Sequence, residues 1–278
     1  MPRALCLADP HCVTGLIIDH PNSNTMEHVC TRFVLGLPFF TGTLDEALMR
    51  VREGCLLVAP SGPNLANELQ QDSVYRHAVG QAGVVLTDSA VMVGAFWLRT
   101  GERLPRHSGL KFIEAFSRQA GLRGKGDVFW VMPNAEEGGA IAGWLHSQGW
   151  PMGSQNLYVA PNYVKGSIQD EVLLERLREA RPKVVVLNLA GGKQEVLGAW
   201  LHERLEPKIG IVCTGAAIAF LAGTQAPIPR WADRAGLGWL FRCLFQPAKF
   251  VPRYWKALPL LPLIWRFRRQ MPPCAAGA

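Results

Sequence analysis

The sequence lacks the patterns that mark several large classes of protein. Its seven cysteines include no CxxC pair and no metal-ligand spacing, so we predict reduced, buried thiols and no metal site. No apolar run reaches the roughly 18 residues that a membrane-spanning helix needs, and the N-terminus lacks the basic and then apolar pattern of a signal peptide. The sequence has no internal repeat and no low-complexity linker. These absences favour a globular protein of the cytoplasm.

The composition is that of a folded protein with a large apolar core. Of its 278 residues, 49% are hydrophobic and 18% are charged. This length allows one large α/β domain or two small ones. The formal net charge is +7, and such an excess suggests an anionic partner. A nucleotide, a phosphorylated lipid, a membrane surface and nucleic acid all fit that description.

Short apolar runs alternate with helical patterns from Gly54 to Gly223. Runs of about five residues separated by helices of roughly 10 to 15 residues are typical of a parallel sheet covered on both faces. The sequence therefore predicts a Rossmann-like open, mostly parallel sheet with helices on both faces. The predicted strands are Cys55–Ala59, Gly83–Leu86, Asp127–Met132, Leu157–Pro161, Val184–Leu187 and Ile209–Cys213.

Two of these strands end in glycine-containing turns. Gly191 and Gly192 follow the strand over Val184–Leu187, and Thr214 and Gly215 follow the next strand. Turns between a strand's carboxyl end and a helix N-terminus bind ligands in open α/β sheets, and the free N–H groups there favour anions. The two turns predict a phosphate- or nucleotide-sized ligand, although glycine also occurs in such turns for steric reasons alone.

Asp88 follows the strand over Gly83–Leu86 and has two interpretations. A carboxylate at a strand's carboxyl end, facing a crevice, suits a general base that takes a proton from a substrate hydroxyl. Alternatively, Asp88 is the N-cap of the helix predicted over Ala90–Leu98. The residues alone leave both interpretations open.

The C-terminal part of the chain is basic and aromatic. From Pro229 to Arg269 there are nine basic residues and nine aromatic ones, but only one acid, Asp233. Cations mixed with aromatic and leucine side chains are typical of an element that lies in a membrane interface. The stretch Leu258–Ile264 is too short and too rich in proline to span a bilayer. Nucleic-acid binding and an oligomer interface are alternatives, but no nucleic-acid motif accompanies the charge.

The ordered motifs from Asn188 onward resemble those of a known enzyme family. Asn188–Glu195 and Thr214–Gly223 are similar to the signature of the WecG/TagA/CpsF glycosyltransferases. Pro229–Trp231, Gly236–Leu240, Arg242 and Pro247 follow at that family's spacing. The resemblance covers about residues 40–255.

This resemblance implies an inverting, metal-independent hexosyltransferase without a cofactor. Its donor would be a UDP-sugar, with an N-acetylmannosamine-type sugar as family precedent, and its acceptor a polyprenyl-diphosphate-linked saccharide of bacterial surface polysaccharide synthesis. Residues 1–228 would form the core, with residues 1–40 loosely structured, and residues 229–278 a helical, basic, membrane-associating appendage. The enzyme would lie on the inner face of the plasma membrane, would not bind nucleic acid and could form a homo-oligomer.

The resemblance also assigns roles to particular residues. Asp88 matches the family's proposed base, and Arg106, in a turn resembling Pro-x-Arg-x-x-Gly, matches an arginine that contacts phosphate. Gln194 matches a glutamine of the active site, and we prefer it to Glu195, because an acid is favoured in any first helical turn. The remaining residues expected to bind substrate are Ser61, Gly191, Gly192, Thr214, Gly215 and the C-terminal arginines Arg230, Arg242 and Arg253.

Two departures from the family pattern concern the donor site. Ala219 stands where the family usually has an aspartate, and Pro60-Ser61-Gly62 replaces the family's Thr-Pro-Asn. These differences leave open a second function, a non-catalytic protein that binds a nucleotide sugar or lipid carrier and regulates or scaffolds polysaccharide assembly.

Overall fold

The computed structural model describes residues 30–224, 238–245 and 247–274. They contain one eight-stranded sheet with the strand order β1-β2-β4-β3-β8-β7-β5-β6. Only the β1–β2 pair is antiparallel. The strands are β1 (Thr31–Val34), β2 (Leu37–Phe40), β3 (Leu56–Val58), β4 (Val84–Val85), β5 (Val128–Met132), β6 (Leu157–Val159), β7 (Val184–Leu187) and β8 (Gly210–Cys213).

Helices cover both faces of this sheet, which confirms the predicted fold class. Strand side chains alternate between two apolar clusters; Val185 and Leu187 belong to one, Val184 and Val186 to the other. The helices are α1 (Leu44–Arg52), α2 (Gly62–Gln71), α3 (Ser73–Gly80), α4 (Ala90–Thr100), α5 (Gly109–Ser117), α6 (Ala135–Ser147), α7 (Glu171–Ala180), α8 (Lys193–Arg204), α9 (Ala217–Leu221), α10 (Gly238–Phe245), α11 (Pro247–Trp255) and α12 (Leu260–Phe267). The first cluster includes α2, α3, α4, α7, α8 and α12, and the second includes α1, α5, α6 and α9.

Local capping explains where several helices begin. The sequence predicts Thr43 as the N-cap of a helix over Leu44–Arg52, and the structure shows a reciprocal capping box of Thr43 and Glu46 at the start of α1. The sequence pattern from Leu65 to Val79 predicts a single helix, but Asp72 divides this stretch into α2 and α3. The Asp72 carboxylate accepts hydrogen bonds from Val74 N and Tyr75 N, both at 2.9 Å. A short acidic side chain with free backbone N–H groups ahead of it favours this break.

The described part of the N-terminal segment forms a hairpin. The sequence predicts a loose segment over residues 1–40 with a candidate strand or turn over Phe33–Phe40. Residues 31–40 form the β1–β2 hairpin, whose turn has positive φ at Leu35 and Gly36, and residues 1–29 lie outside the described residues. The chain's C-terminal part returns to this turn. Leu35 N and Gly36 N donate to Arg268 O and Arg269 O at 2.8 and 3.0 Å. Residues distant in sequence thus fix the hairpin.

The described C-terminal residues form helices α10, α11 and α12. Leu260 and Ile264 of α12 are fully buried and belong to the core cluster that α2 and α4 share. The predicted domain boundary after residue 228 lies outside the described residues. Within the described ranges, no helix is both long enough and apolar enough to cross a membrane. The described cysteines are free thiols, of which Cys213 is buried and the other four are half-buried.

Candidate active site

The parallel strands end at one edge of the sheet, where the connections leave in opposite directions. Strand β3 continues into α2 on one face, whereas its neighbour β8 continues into α9 on the other face. Such a reversal between adjacent strands opens a crevice at their carboxyl ends, where open α/β sheets bind their ligands. The residues predicted from β3, β4, β7 and β8 all lie at this edge.

Asp88 is half-buried at the carboxyl end of β4 and is not the N-cap of α4. Ser89 takes that position, because its Oγ accepts a hydrogen bond from Met92 N at 3.2 Å. Asp88 Oδ1 instead accepts from Gly109 N, at 2.9 Å, across 21 residues of sequence. The carboxylate therefore lies at the N-terminus of α5, where partial positive charge favours an anion.

Gly109 places this helix start against the crevice. A Cβ atom added at Gly109 would lie 3.3 Å from the Cβ and carbonyl oxygen of Thr214 and 3.4 Å from the Cβ of Ala59. Since Thr214 follows β8 and Ala59 follows β3, the α5 N-terminus meets both strands of the reversal. Asp88 and Thr214 are thus brought together through Gly109.

The turn that carries Arg106 is bound to β4. Thr87 Oγ1 donates to Pro105 O at 2.5 Å and accepts from His107 N at 2.9 Å. Arg106 lies between these two anchored residues, half-buried and close in sequence to the α5 N-terminus. His107 Nε2 donates to Gly42 O at 2.8 Å, and burial lowers the pKa of its imidazole. His107 therefore fixes the turn, as an ordinary turn residue would.

Gln194 links the two glycine turns. Its Oε1 accepts from Gly215 N at 2.8 Å, and its Nε2 donates to Glu195 Oε1 at 3.2 Å. Only 2% of Gln194 is exposed. Its amide consequently holds the turn after β8 against the start of α8, so we assign it a positioning role as well as a place in the site.

Glu195 caps the helix that follows the first glycine turn. Its Oε2 accepts from Gly192 N at 2.7 Å, and Gly192 has a φ of 91°, a conformation that favours glycine. The side chain is fully buried, and burial raises the pKa of this carboxyl to about 7. Glu195 therefore lies in the first turn of α8, where an acid is favoured.

Asn64 belongs to this edge but is not among the predicted site residues. A Cβ atom on Gly191 would lie 2.5 Å from Asn64 Nδ2, so the residue at 191 must be glycine for the amide to lie there. Asn64 stands in the first turn of α2, after the strand β3. Because side chains in the first turn of a helix lie near the sheet's carboxyl edge, this position could have been proposed from the predicted strand and helix.

Two hydroxyl groups in the crevice lack partners within the described residues. Ser61 Oγ and Thr214 Oγ1 are both buried and form no hydrogen bond there. Ser61 is the N-cap of α2, yet its side chain makes no capping bond. Buried hydroxyls normally have a partner, so these two groups are suited to a polar ligand.

The C-terminal arginines and Ala219 are the remaining positions that the sequence analysis connects with the substrate site. Arg230 lies outside the described residues, as do the side chains of Arg242 and Arg253, whose backbones belong to α10 and α11. Ala219 is 1% exposed and lies in the apolar cluster that includes Ile218. The position at which the family usually has an aspartate is therefore part of the apolar packing of α9.

An open, mostly parallel sheet with glycine turns at a reversal point defines a Rossmann-like α/β protein. Residues 32–273 match the sequence model of the Glycosyl transferase WecG/TagA/CpsF family. This match covers most of the chain. The protein belongs to that family of glycosyltransferases, which confirms the resemblance found in the sequence.

Proposed function

We propose that the protein is an inverting, metal-independent hexosyltransferase. It transfers a sugar, with an N-acetylmannosamine-type sugar as precedent, from a UDP-sugar to a polyprenyl-diphosphate-linked saccharide in bacterial surface polysaccharide synthesis. The observation that carries this proposal is the position of Asp88, half-buried at the carboxyl end of β4, the strand next to β3, and hydrogen-bonded to Gly109 N. An acid at this point can reach a substrate held between β3 and β8.

In this proposal, the donor's diphosphate lies between the turns after β3, β7 and β8. The Ser61 and Thr214 hydroxyls are suited to donate to phosphate oxygens, since they have no partner within the described residues. The Arg106 turn lies beside the α5 N-terminus and supplies a guanidinium group that matches phosphate geometry. Arg230, Arg242 and Arg253 are proposed to add positive charge from the C-terminal segment.

The reaction is a single displacement. Asp88 takes the proton from the acceptor hydroxyl, and that oxygen forms a bond to the anomeric carbon of the donor. The bond between this carbon and the diphosphate oxygen breaks on the opposite side, so the configuration inverts and UDP leaves with the electron pair. Arginine side chains and helix N–H groups stabilise the negative charge that develops on UDP.

We further propose that the C-terminal segment attaches the enzyme to the inner face of the plasma membrane. Its described helices carry exposed apolar residues beside basic ones, as an interfacial element requires. A lipid-linked acceptor makes this location useful, because the enzyme then meets the polyprenyl diphosphate at the bilayer surface. A homo-oligomer is compatible with this arrangement, and nucleic acid is not proposed as a partner.

A panel of UDP-sugars tests the proposal. We expect UDP to raise the melting temperature through binding to the folded state, one UDP-sugar to raise it further, and that sugar to be turned over with release of UDP in the presence of EDTA. CDP serves as the matched control nucleotide. If the protein binds a UDP-sugar but transfers no sugar to any lipid-linked acceptor, the proposed enzymatic activity would be contradicted and the non-catalytic binding function supported. If no uridine nucleotide changes the melting temperature, the proposed donor site would be contradicted.

A further inference from the structure

Exposed apolar side chains line the outer surface of α4 and α12. In α4, Met92, Ala95 and Phe96 face the core, while Val91, Trp97 and Leu98 are 37%, 44% and 69% exposed. The spacing of Val91 and Leu98, seven residues apart, places them on one side of the helix. A helix of the α/β core thus exposes three large apolar residues in its eleven positions.

Helix α12 repeats this pattern. Leu260, Leu263 and Ile264 face the core, while Leu258, just before the helix, Leu261 and Trp265 are 47%, 42% and 57% exposed. We call the exposed residues of the two segments the α4–α12 face; it consists of Val91, Trp97, Leu98, Leu258, Leu261 and Trp265.

The two helices run side by side in the same direction. At their beginnings, Ser89 Oγ and Leu260 Cδ2 lie 2.9 and 3.7 Å from the position of a Cβ atom on Gly62. Towards their ends, the Arg99 guanidinium lies 5.3 Å from the centre of the Trp265 ring, and Arg99 Nε donates to Trp265 O at 3.4 Å. The two helices are therefore neighbours from their beginnings to their ends, and each carries exposed apolar side chains.

The two segments that form this face carry positive charges only. Neither α4 nor residues 256–274 contain an acid, and they contribute Arg99, Lys256, Arg266, Arg268 and Arg269. Between the two segments, Glu102 is paired with Arg269, and the Arg103 guanidinium lies 5.9 Å from the Trp97 ring centre. Arginines beside tryptophan rings, at the rim of an apolar surface, are suited to anionic lipid head groups. A second copy of the chain would present the same positive charge and be repelled.

We propose that α4 forms one half of a membrane-binding surface, with α12 as the other half, on an anionic bilayer. This inference depends on the membrane attachment proposed above, but not on the transfer reaction. It assigns part of the attachment to the α/β core itself. Since α4 begins directly after Asp88 and Ser89, binding through the α4–α12 face would hold the catalytic edge at a fixed place relative to the lipid-linked acceptor.

Vesicle co-sedimentation of the full chain tests this inference. The probes are phosphatidylcholine vesicles with and without phosphatidylglycerol. The double variant Trp97→Ser, Leu98→Ser should lower the partition coefficient on anionic vesicles roughly tenfold, because exposed apolar side chains drive entry into the interface. The matched control is Met49→Ser, Val172→Ser, which removes residues that are 51% and 65% exposed on α1 and α7 and should leave binding unchanged.

Three results would overturn the proposal. The first is that the α4 variant binds vesicles as well as the wild type does, and the second is that the control variant loses binding to the same extent. The third is that, without lipid, the α4 variant has a lower molecular mass in solution than the wild type, which would identify a second copy of the chain as the partner of this face. Where the double variant has a lower melting temperature, Leu98→Asp provides the same test at the more exposed position. UDP release measured on the same variants separates the proposed transfer reaction from the proposed membrane surface. A variant that still releases UDP but no longer binds vesicles would support both proposals. A wild-type chain without turnover would contradict only the transferase.

Discussion

The substitution Gln194→Ala tests whether one amide holds the two glycine turns together. It removes the acceptor for Gly215 N and the donor to Glu195 Oε1, which lie 2.8 and 3.2 Å from the Gln194 amide. A buried group left without its partner costs about 1–3 kcal/mol, and two such groups give about 2–6 kcal/mol. That is a large part of the roughly 5–15 kcal/mol by which a domain is stable.

Thermal and urea unfolding measure this loss directly. For a chain of this size, about 2–4 °C of melting temperature corresponds to each kcal/mol, so we expect a decrease of roughly 4–24 °C. The control Gln71→Ala removes an exposed glutamine at the end of α2 and should change stability by less than about 0.5 kcal/mol. A loss below about 1 kcal/mol for Gln194→Ala would refute the reasoning.

The substitution Gln194→Glu should change the free energy of unfolding by an amount that depends on pH. While the introduced carboxyl is protonated, it has one donor and one acceptor oriented as in the amide, so both hydrogen bonds can persist at low pH. At high pH the substitution would place a second carboxylate beside Glu195, and like charges at this distance oppose each other. We expect the variant to match the wild type at about pH 5 and to lose stability above about pH 7. An equal loss at both values would contradict this interpretation.

Two further predictions concern the same turns. Burial raises the pKa of Glu195 from 4.5 to about 7, so between these two pH values the folded state binds more protons than the unfolded state. The protonated carboxyl contributes about 3 kcal/mol to the free energy of unfolding. This contribution is fully present below pH 4.5 and is lost as the pH rises to about 7. Urea unfolding at several pH values should show this slope in the wild type and not in Glu195→Gln, and identical slopes would contradict the assignment. Gly191→Ala should displace the Asn64 side chain, which lies 2.5 Å from the new Cβ position, and should weaken UDP binding by calorimetry; unchanged affinity would exclude Asn64 from the donor site.

Local sequence patterns were sufficient for the fold because strands, caps and turns depend on neighbouring residues. The runs that became β3, β7 and β8 are bounded by glycine and polar residues, and their position before helices implied a common edge. The same reasoning placed Asp88 and the two glycine turns at that edge. Tertiary packing then confirmed the arrangement, because every one of these strands is buried on both faces.

Contacts between distant residues were not predictable in this way. Asp88 meets Gly109 rather than capping α4, because Ser89 competes successfully for the free N–H groups of that helix. Asn64 lies beside Gly191 only once α2 and β7 are packed at one edge. The return of Arg268 to the β1–β2 turn likewise depends on where α12 packs. Each of these contacts joins segments whose relative position no local pattern specifies.

The central claim is that Asp88 is the general base, and Asp88→Asn tests it most directly. The measurement is sugar transfer to a lipid-linked acceptor together with UDP affinity in the same variant. Asp72→Asn is the matched control, since Asp72 also accepts backbone N–H bonds but lies outside the crevice. We expect Asp88→Asn to reduce transfer by about 10²–10⁴-fold with UDP affinity unchanged, and Asp72→Asn to retain activity. Transfer by Asp88→Asn at the wild-type rate would contradict the account.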